Sequence, residues 1–149
     1  MISPERLRRF AHCAGATDEL LKQVAMLASE RPFDAAQRLF DEGMPARKLM
    51  MLESGSVDIV HTLGSGKAVV VDTLVGGDLM AWSALLEPHV LTATGIGRTA
   101  GHLVEIDGEG LRRLCQDNPE YGLTMMTEVA KTLRARLEAT RVQLAAANP

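Results

Sequence analysis

The sequence predicts a mainly β domain with flanking helices (α+β), folded as a double-stranded β-helix, or jelly roll. Three observations predict it. Apolar residues recur at helical spacing over residues 1–30, short apolar runs broken by glycines fill 31–107, and helical spacing returns over 108–147. A chain of 149 residues suits one domain that buries a single core. We therefore expect a single domain over 1–149, with two N-terminal helices, a β-roll and C-terminal helices.

The N-terminal region carries start and stop signals for two helices. Ser3 is placed to cap the first, Pro4 occupies its first turn, and Gly15 follows as a stop. Thr17 is placed to cap the second. Its apolar face is formed by Leu20, Leu21, Val24, Leu27 and Ala28. Both helices are expected to cover an apolar surface.

The middle of the chain reads as a stack of hairpins. Its apolar runs are KLMMLES, SVDIVHTL, KAVVVDTLV, VLTATGI and GHLVEID, and its glycine-bearing breaks are SGS, GSGK, GGD and GRTAG. We expect Gly43 and Gly55 to lie where strands turn sharply. The glycines before Lys67 lack the spacing of a phosphate-binding loop, and Ala68 replaces its hydroxyl residue, so GSGK is predicted to be a hairpin turn.

Two helices are predicted after Asp107. Leu111, Leu114 and Cys115 share one face of the first, and Asn118 with Pro119 begins the second. A heptad seam runs along this last helix through Leu123, Met126, Ala130, Leu133, Leu137, Thr140 and Leu144. The seam predicts a homodimer helix, with a helix laid on its own sheet as the alternative.

Composition and spacing argue against several functional classes. The net charge of −3 offers no basic field for nucleic acid, and no apolar run reaches the roughly 20 residues of a membrane span. No export signal is apparent, so we expect a cytoplasmic location. Cys13 and Cys115 lack zinc-site spacing, and His61, His89 and His102 are isolated. We expect no metal site, no catalytic residues and no enzyme activity.

The order of glycine-bearing segments and helices along the chain resembles that of a known family. FDEG at 40–43, LESGSVDIV at 52–60, GSGK at 64–67, GGD at 76–78 and the long final helix resemble the cyclic nucleotide-binding domain of Crp/Fnr-type bacterial regulators and cyclic-AMP-dependent kinases. The resemblance runs from about Pro32 to Leu144. It implies a sensor domain that passes a signal from the roll to the C-terminal helices.

The same resemblance implies that the usual ligand anchors are missing. In the family, a glutamate contacts the ribose and an arginine pairs with the cyclic phosphate. Trp82 and Leu91 stand at those positions, and Arg98 lies an odd number of residues from Leu91, so on a strand it would face the other side. We therefore do not expect cyclic AMP or cyclic GMP in the usual pose. The loop resembles a subgroup with an aromatic residue in a GWSALL-like segment.

A candidate ligand site nevertheless surrounds this loop. Its residues are Gly77, Asp78, Ala81, Trp82, Ser83, Leu91, Thr92 and Ala93. Asp78 is expected to cap a short turn from Met80 to Leu85, whose N-terminal amides would form a weak anion site. No cofactor is certain, and a cyclic nucleotide or another small molecule remains the candidate ligand.

Two readings of function remain open. The first is a stand-alone regulatory or sensor module; the second is a constitutive dimeric scaffold with a self-filled pocket that binds a protein partner. The chain could also be the sensor part of a transcription regulator, although no DNA-binding module is expected after the last helix. A buried, rigid Trp82 would favour the scaffold, and a partly exposed Trp82 beside a cavity would favour the sensor.

Overall fold

The computed structural model describes residues 2–148. It contains four α-helices and six strands among these residues, together with two short 3-10 helices. In chain order they are α1 (Pro4–Leu7), a 3-10 helix (Ala11–Cys13), α2 (Asp18–Leu27), β1 (Ala28–Phe33), β2 (Arg38–Phe40), β3 (Lys48–Thr62), β4 (Ala68–Leu74), β5 (Leu79–Met80), a 3-10 helix (Trp82–Ala84), β6 (Thr94–Asp107), α3 (Gly108–Asp117) and α4 (Pro119–Ala147).

The strands form one antiparallel six-stranded sheet that rolls up on itself. Its order is β1-β6-β3-β4, with β2 added to β6 and β5 added to β3. Every pairing is antiparallel. This architecture, with helices before and after the sheet, confirms the predicted jelly roll with flanking helices.

The N-terminal helices differ in detail from the prediction. Thr17 caps α2 as expected, because its hydroxyl accepts a hydrogen bond from the backbone N–H of Leu20. The first helix is shorter: α1 ends at Leu7, and a separate 3-10 helix follows. Phe10 breaks it, since its extended backbone turns its side chain into the core. The first strand of the roll begins at Ala28, three residues before the predicted start of the roll at residue 31.

The predicted breaks at SGS and GRTAG are wrong, because β3 and β6 run through them without a turn. Gly55, with a φ of +82°, bends β3 while the ladder with β6 continues through irregular register. A Cβ at Gly55 would lie 2.6 Å from the carbonyl oxygen of Ala100, and one at Gly101 would lie 2.1 Å from that of Ser54. These glycines permit the close approach of two bent strands.

The hairpin prediction for GSGK is confirmed. The turn joins β3 to β4, and the N–H of Leu63 donates to the carbonyl of Lys67 at 2.8 Å. Gly66 adopts a φ of +87°, a conformation that glycine reaches without steric cost. Gly43 also lies in a turn, with a φ of +87°, as expected.

The C-terminal helices pack on one end of the roll. Leu111 of α3 is fully buried, and Tyr121, Met125 and Val129 form the buried face of α4. Asn118 and Pro119 begin α4 as predicted. Ion pairs connect the helices to the sheet. Arg6 of α1 binds Glu30 of β1 and Glu53 of β3, and Arg136 of α4 binds Asp72 of β4.

Candidate functional site

Six of the eight predicted ligand residues line one small cavity inside the roll, which we call the roll cavity. They are Ala81, Trp82, Ser83, Leu91, Thr92 and Ala93, and they are joined by Phe40, Ile59 and Met80. The cavity has a volume of about 30 Å³. Ligand pockets usually measure about 300–1,000 Å³, so a metabolite does not fit without movement of the walls.

The roll cavity is small because side chains occupy the interior. The Phe40 ring lies against the backbone of Gly95, where an added Cβ would be 2.4 Å from a ring carbon. Met80 and Leu91 are 1% and 7% exposed. Trp82 is partly buried and packs against the core. Aromatic and aliphatic side chains therefore occupy most of the interior of the roll at this position.

Charge is missing from the walls of the roll cavity. Its lining residues are apolar, apart from Ser83 and Thr92. Arg98, the nearest downstream arginine, donates to the hydroxyl of Thr73 at 3.4 Å and lies 3.8 Å from Asp58. Its side chain is 60% exposed. No cationic group among the lining residues could therefore offset the desolvation of a phosphate.

Gly77 and Asp78 lie outside the roll cavity. They line a different cavity of about 220 Å³, between the Ala11–Cys13 helix and α4. The prediction that Asp78 caps the following turn is wrong, since its carboxylate accepts a hydrogen bond from the backbone N–H of Val75, which precedes it, at 2.9 Å. The Trp82–Ala84 helix has no side-chain cap, and its N-cap residue Ala81 adopts a left-handed φ of +57°.

The Trp82–Ala84 helix contacts α3 directly. The guanidinium of Arg112 donates to the carbonyl of Ala84 at 2.5 Å. A Cβ at Gly108, the first residue of α3, would lie 3.2 Å from the Ala84 side chain. The short helix that carries Trp82 is therefore in contact with the start of the C-terminal helices.

The predicted dimer seam lies on the solvent side of α4. All seven of its residues are exposed: Leu123, Met126, Ala130, Leu133, Leu137, Thr140 and Leu144. The large ones reach 71% exposure at Leu123 and 64% at Leu144. Two ion pairs lie beside the seam, with Glu128 to Lys131 at 3.2 Å and Arg134 to Glu138 at 3.4 Å. The helix thus packs against α3, the Ala11–Cys13 helix and β4 through another face and leaves the seam uncovered.

A third cavity, which the sequence did not predict, lies where the N-terminal helices meet the junction of α3 and α4. We call it the helical cavity. It has a volume of about 470 Å³. Its walls are His12, Gly15, Ala16, Thr17, Leu20, Asp117, Asn118, Pro119, Glu120, Tyr121 and Thr124. The cavity forms only when residues 12–20 come into contact with residues 117–124 in the folded chain. No local sequence motif therefore predicts it.

His12 is the most unusual residue of the helical cavity. It is 2% exposed, and its Nε2 atom is buried without a hydrogen-bond partner among the described residues. Its ring centroid is 6.3 Å from that of Tyr121. Burial lowers the pKa of His12 to about 4, against a smaller opposing effect of Glu128. The imidazole is therefore neutral at pH 7.

Residues 2–148 contain neither a cluster of metal ligands nor a membrane-spanning helix. No group of three or more His, Cys, Asp or Glu side chains is arranged to hold a metal ion in this part of the chain. No described helix combines the length and apolarity that crossing a bilayer requires.

Comparison with known proteins decides the family. The family model described as "Cyclic nucleotide-binding domain" matches residues 30–118 of the sequence. The chain belongs to the cyclic nucleotide-binding domain family. It is also 24% identical over 102 residues to a CRP-like cAMP-activated global transcriptional regulator of Mycobacterium tuberculosis. That alignment covers 68% of this chain and 46% of the relative, so this member spans about half the length of the curated proteins it matches.

Solved structures of the family share the fold. A protein from Geobacter metallireducens named for cyclic nucleotide binding is 33% identical, with a TM-score of 0.80, and the match covers 92% of this chain and 99% of that one. The N-terminal domain of a Streptomyces coelicolor transcriptional regulator is 26% identical, with a TM-score of 0.68 and coverage of 90% and 94%. The chain is thus a regulatory or sensor domain of this family.

Proposed function

We propose that this domain is a regulatory module of the cyclic nucleotide-binding family that does not bind cyclic AMP or cyclic GMP in the usual pose. The observation that supports this most directly is the roll cavity, which measures about 30 Å³ and has no charged residue in its walls. A cyclic phosphate placed there would lose its hydration without gaining a charge-assisted hydrogen bond, at a cost of several kcal/mol.

The test is isothermal titration of the purified chain with cyclic AMP and cyclic GMP, with Trp82 fluorescence followed in parallel. We expect no heat and no fluorescence change up to millimolar nucleotide. The cAMP-activated Mycobacterium tuberculosis relative serves as the positive control under the same conditions. Micromolar binding would refute the proposal, and it would mean that backbone amides and hydroxyls replace the missing arginine.

A second candidate function is a sensor of a small apolar molecule. The partial exposure of Trp82 beside the roll cavity favours it, although the present volume admits no metabolite. A ligand would have to displace Trp82 or Phe40 and would then bind one arrangement of the loop more tightly than another. The contact of Arg112 with the Ala84 carbonyl would pass that change to α3.

Hydrogen exchange distinguishes a sensor from a constitutive scaffold. A sensor ligand identified by Trp82 fluorescence should change amide protection in α3 and α4, because the loop contacts α3 through Arg112 and Gly108. An Arg112→Ala variant should keep ligand binding and lose much of the change in protection. Unchanged exchange in α4 of the original chain at saturating ligand would rule out the sensor mechanism.

We further propose that two copies of the chain pair through the seam on α4. Support comes from its seven exposed positions at heptad spacing. Leu133→Lys should shift the chain from dimer to monomer in sedimentation velocity, since a lysine in the seam cannot be buried unpaired. Ala145→Lys, beside the seam on the same helix, is the control and should leave the mass unchanged. A monomer at all concentrations in the original chain would refute the pairing.

A further inference from the structure

A further cavity opens at the surface where the residues before β3 face the loop that ends at Leu91. It has a volume of about 230 Å³, and we call it the side cavity. Backbone hydrogen bonds join its two walls, from the N–H of Gly43 to the Leu91 carbonyl at 2.8 Å and from the N–H of Leu91 to the Met44 carbonyl at 2.9 Å. Its buried or partly buried lining residues are Phe40, Met50, Ala81 and Leu91, and its exposed ones include Met44, Arg47 and Lys48.

The inner surface of the side cavity is apolar. Met50, Ala81 and Leu91 are 7%, 8% and 7% exposed, so each keeps some accessible surface. Leu49 and Met51, on either side of Met50, have none. An aliphatic chain laid against this surface would leave water, which is favourable in proportion to the apolar area that is buried.

Exposed apolar side chains extend this surface beyond the cavity. Met44, in the lining, is 55% exposed, and Val90, whose backbone pairs with that of Pro45, is 40% exposed. Single exposed apolar residues are ordinary, but these two lie beside a concave apolar surface. An apolar chain in the cavity would therefore be covered on more than one side.

Among the charged residues of the lining, only Arg47 lacks an ionic partner in the described part of the chain. The carboxylate of Asp41 accepts two hydrogen bonds from Arg38, at 2.8 and 2.6 Å. The ammonium group of Lys48 lies 4.0 Å from Glu105. Arg47 is exposed and takes part in no such contact. An anion beside Arg47 is therefore favoured.

We propose that the side cavity binds a small aliphatic carboxylate, with its chain against the apolar surface and its carboxylate beside Arg47. A guanidinium matches a carboxylate through two parallel hydrogen bonds, which favours a carboxylate over a spherical anion. The volume of about 230 Å³ lies below the roughly 300–1,000 Å³ of pockets for larger ligands, so the chain is short. This inference does not rest on the proposed function, because it concerns a different cavity and a different ligand.

A ligand at this site would lie next to both the loop and the C-terminal helices. Ala81 and Leu91 line the side cavity and the roll cavity alike. The carbonyl of Arg47 accepts a hydrogen bond from the N–H of Gly108, the first residue of α3, at 2.8 Å. A bound carboxylate would therefore shift the balance between arrangements of the loop and α3 for which its affinity differs.

The experiment titrates the full chain, labelled with carbon-13 at its methionine and isoleucine methyl groups, with sodium hexanoate. Met44 and Met50 line the side cavity, and Ile59 lines the roll cavity alone. Met26 lines neither and is 75% exposed. We expect saturable shifts of the Met44 and Met50 signals, while those of Ile59 and Met26 stay in place.

Three further compounds separate the charge of the probe from its chain. Hexylammonium chloride carries the opposite charge on the same chain and should produce much smaller shifts at equal concentration, since it would meet Arg47 with a like charge. Sodium acetate and sodium chloride at the same ionic strength should produce no saturable shift, because neither has a chain to bury.

Two variants test the charge and the apolar surface separately. Arg47→Gln should weaken hexanoate about twofold to fivefold, as expected for one exposed charge, and should leave the affinity for hexanol unchanged. Arg9→Gln, at an exposed arginine outside the cavity, is the matched control. Met44→Ala should weaken hexanoate and hexanol alike, with Met50 as the reporter and Met26→Ala as the control.

Three results would overturn the proposal. They are shifts of equal size with hexylammonium, equal hexanoate affinity in the Arg47→Gln variant and the original chain, and shifts at Ile59 in place of Met44 and Met50. A cyclic nucleotide that shifts Ile59 would refute the proposed function and leave this inference intact.

Discussion

The roll cavity and the helical cavity differ in volume, charge and origin. The roll cavity, at the position where the family resemblance places a ligand, is reduced to about 30 Å³ by Phe40, Trp82 and Leu91. The helical cavity measures about 470 Å³ and has carboxylates at its mouth and a buried histidine in its wall. On the proposed function, the family fold is kept while its ligand position becomes part of the core. Space for a ligand must then be sought elsewhere in the chain.

The largest expected effect comes from removing the ring that fills the roll. Phe40→Ala should lower the free energy of unfolding by about 3 kcal/mol, since loss of a phenylalanine from a core typically costs 3–5 kcal/mol and Phe40 is only partly buried. Urea denaturation measures this loss. The variant should also bind indole, for which the roll cavity of the original chain has no room, and isothermal titration would report it.

Met26→Ala is the matched control for this truncation, because Met26 is 75% exposed. Its cost should stay within about 0.5 kcal/mol. A cost for Phe40→Ala as small as that of the control would show that the Phe40 ring does not close the roll.

The next effect concerns His12 in the wall of the helical cavity. Burial lowers the pKa of His12 to about 4 from an ordinary value of 6.5, so between these values the unfolded chain binds more protons than the folded one. Above pH 6.5 His12 is neutral in both states and the folded protein has its full stability. As the pH falls from 6.5 towards 4, His12 is protonated in the unfolded chain alone, and the free energy of unfolding decreases. The full loss amounts to about 3 kcal/mol at most.

Urea denaturation at pH 7, 6 and 5 measures this dependence. His12→Phe keeps an aromatic ring and removes the titrating group, so the loss of stability between pH 7 and 5 should become smaller. Glu128, the described carboxylate that acts on His12, remains in both proteins. Equal slopes in the two proteins would contradict the assignment of the effect to His12.

A smaller effect is expected at the edge of the helical cavity. Thr17→Ala removes the hydroxyl that accepts from the N–H of Leu20 at 3.2 Å and should cost about 1 kcal/mol. Ser3→Ala is a close control, because Ser3 precedes α1 without a side-chain capping hydrogen bond. Thermal unfolding of both variants makes the comparison. Equal destabilisation would show that capping is not what Thr17 contributes.

The smallest effect is expected in the loop beside the roll. Ala81 holds a left-handed φ of +57°, which costs a residue with a Cβ about 1–2 kcal/mol. Ala81→Gly removes that strain but also removes a buried methyl group and adds freedom to the unfolded chain. A net gain of up to about 1 kcal/mol is expected from urea denaturation. A loss above 1 kcal/mol would mean that the methyl group matters more than the strain.

Local signals predicted those parts of the fold that depend on local physics. The cap at Thr17, the turn before Lys67 and the start of α4 at Asn118 follow from side-chain hydrogen bonding and backbone preference at single positions. Gly55 and Gly101 misled the prediction, because a glycine marks a turn and a bend inside a strand equally well. Only the pairing of β3 with β6 distinguishes the two.

The candidate site was predictable only in part, for the same reason. The family resemblance placed Trp82 and Leu91 at the roll, and in the structure both line one cavity. The volume of that cavity depends on Phe40, which lies about 40 residues before Trp82 and which the sequence did not link to the site. His12 is a surface-compatible residue in the sequence, and its burial follows from contact with Tyr121, far along the chain.

The pairing of β1 with β6 has a consequence for the order in which the protein is made. Ala28 pairs with Ile106, and β3 lies between them in the sequence and contacts β6. During synthesis, the first strand of the roll must therefore wait until almost the whole roll has left the ribosome. Closing so long a segment costs conformational entropy before the contacts of the sheet can form. We therefore expect the roll to fold slowly and late. Until then the apolar strand β3 is without its main partner, which leaves the nascent chain prone to aggregation.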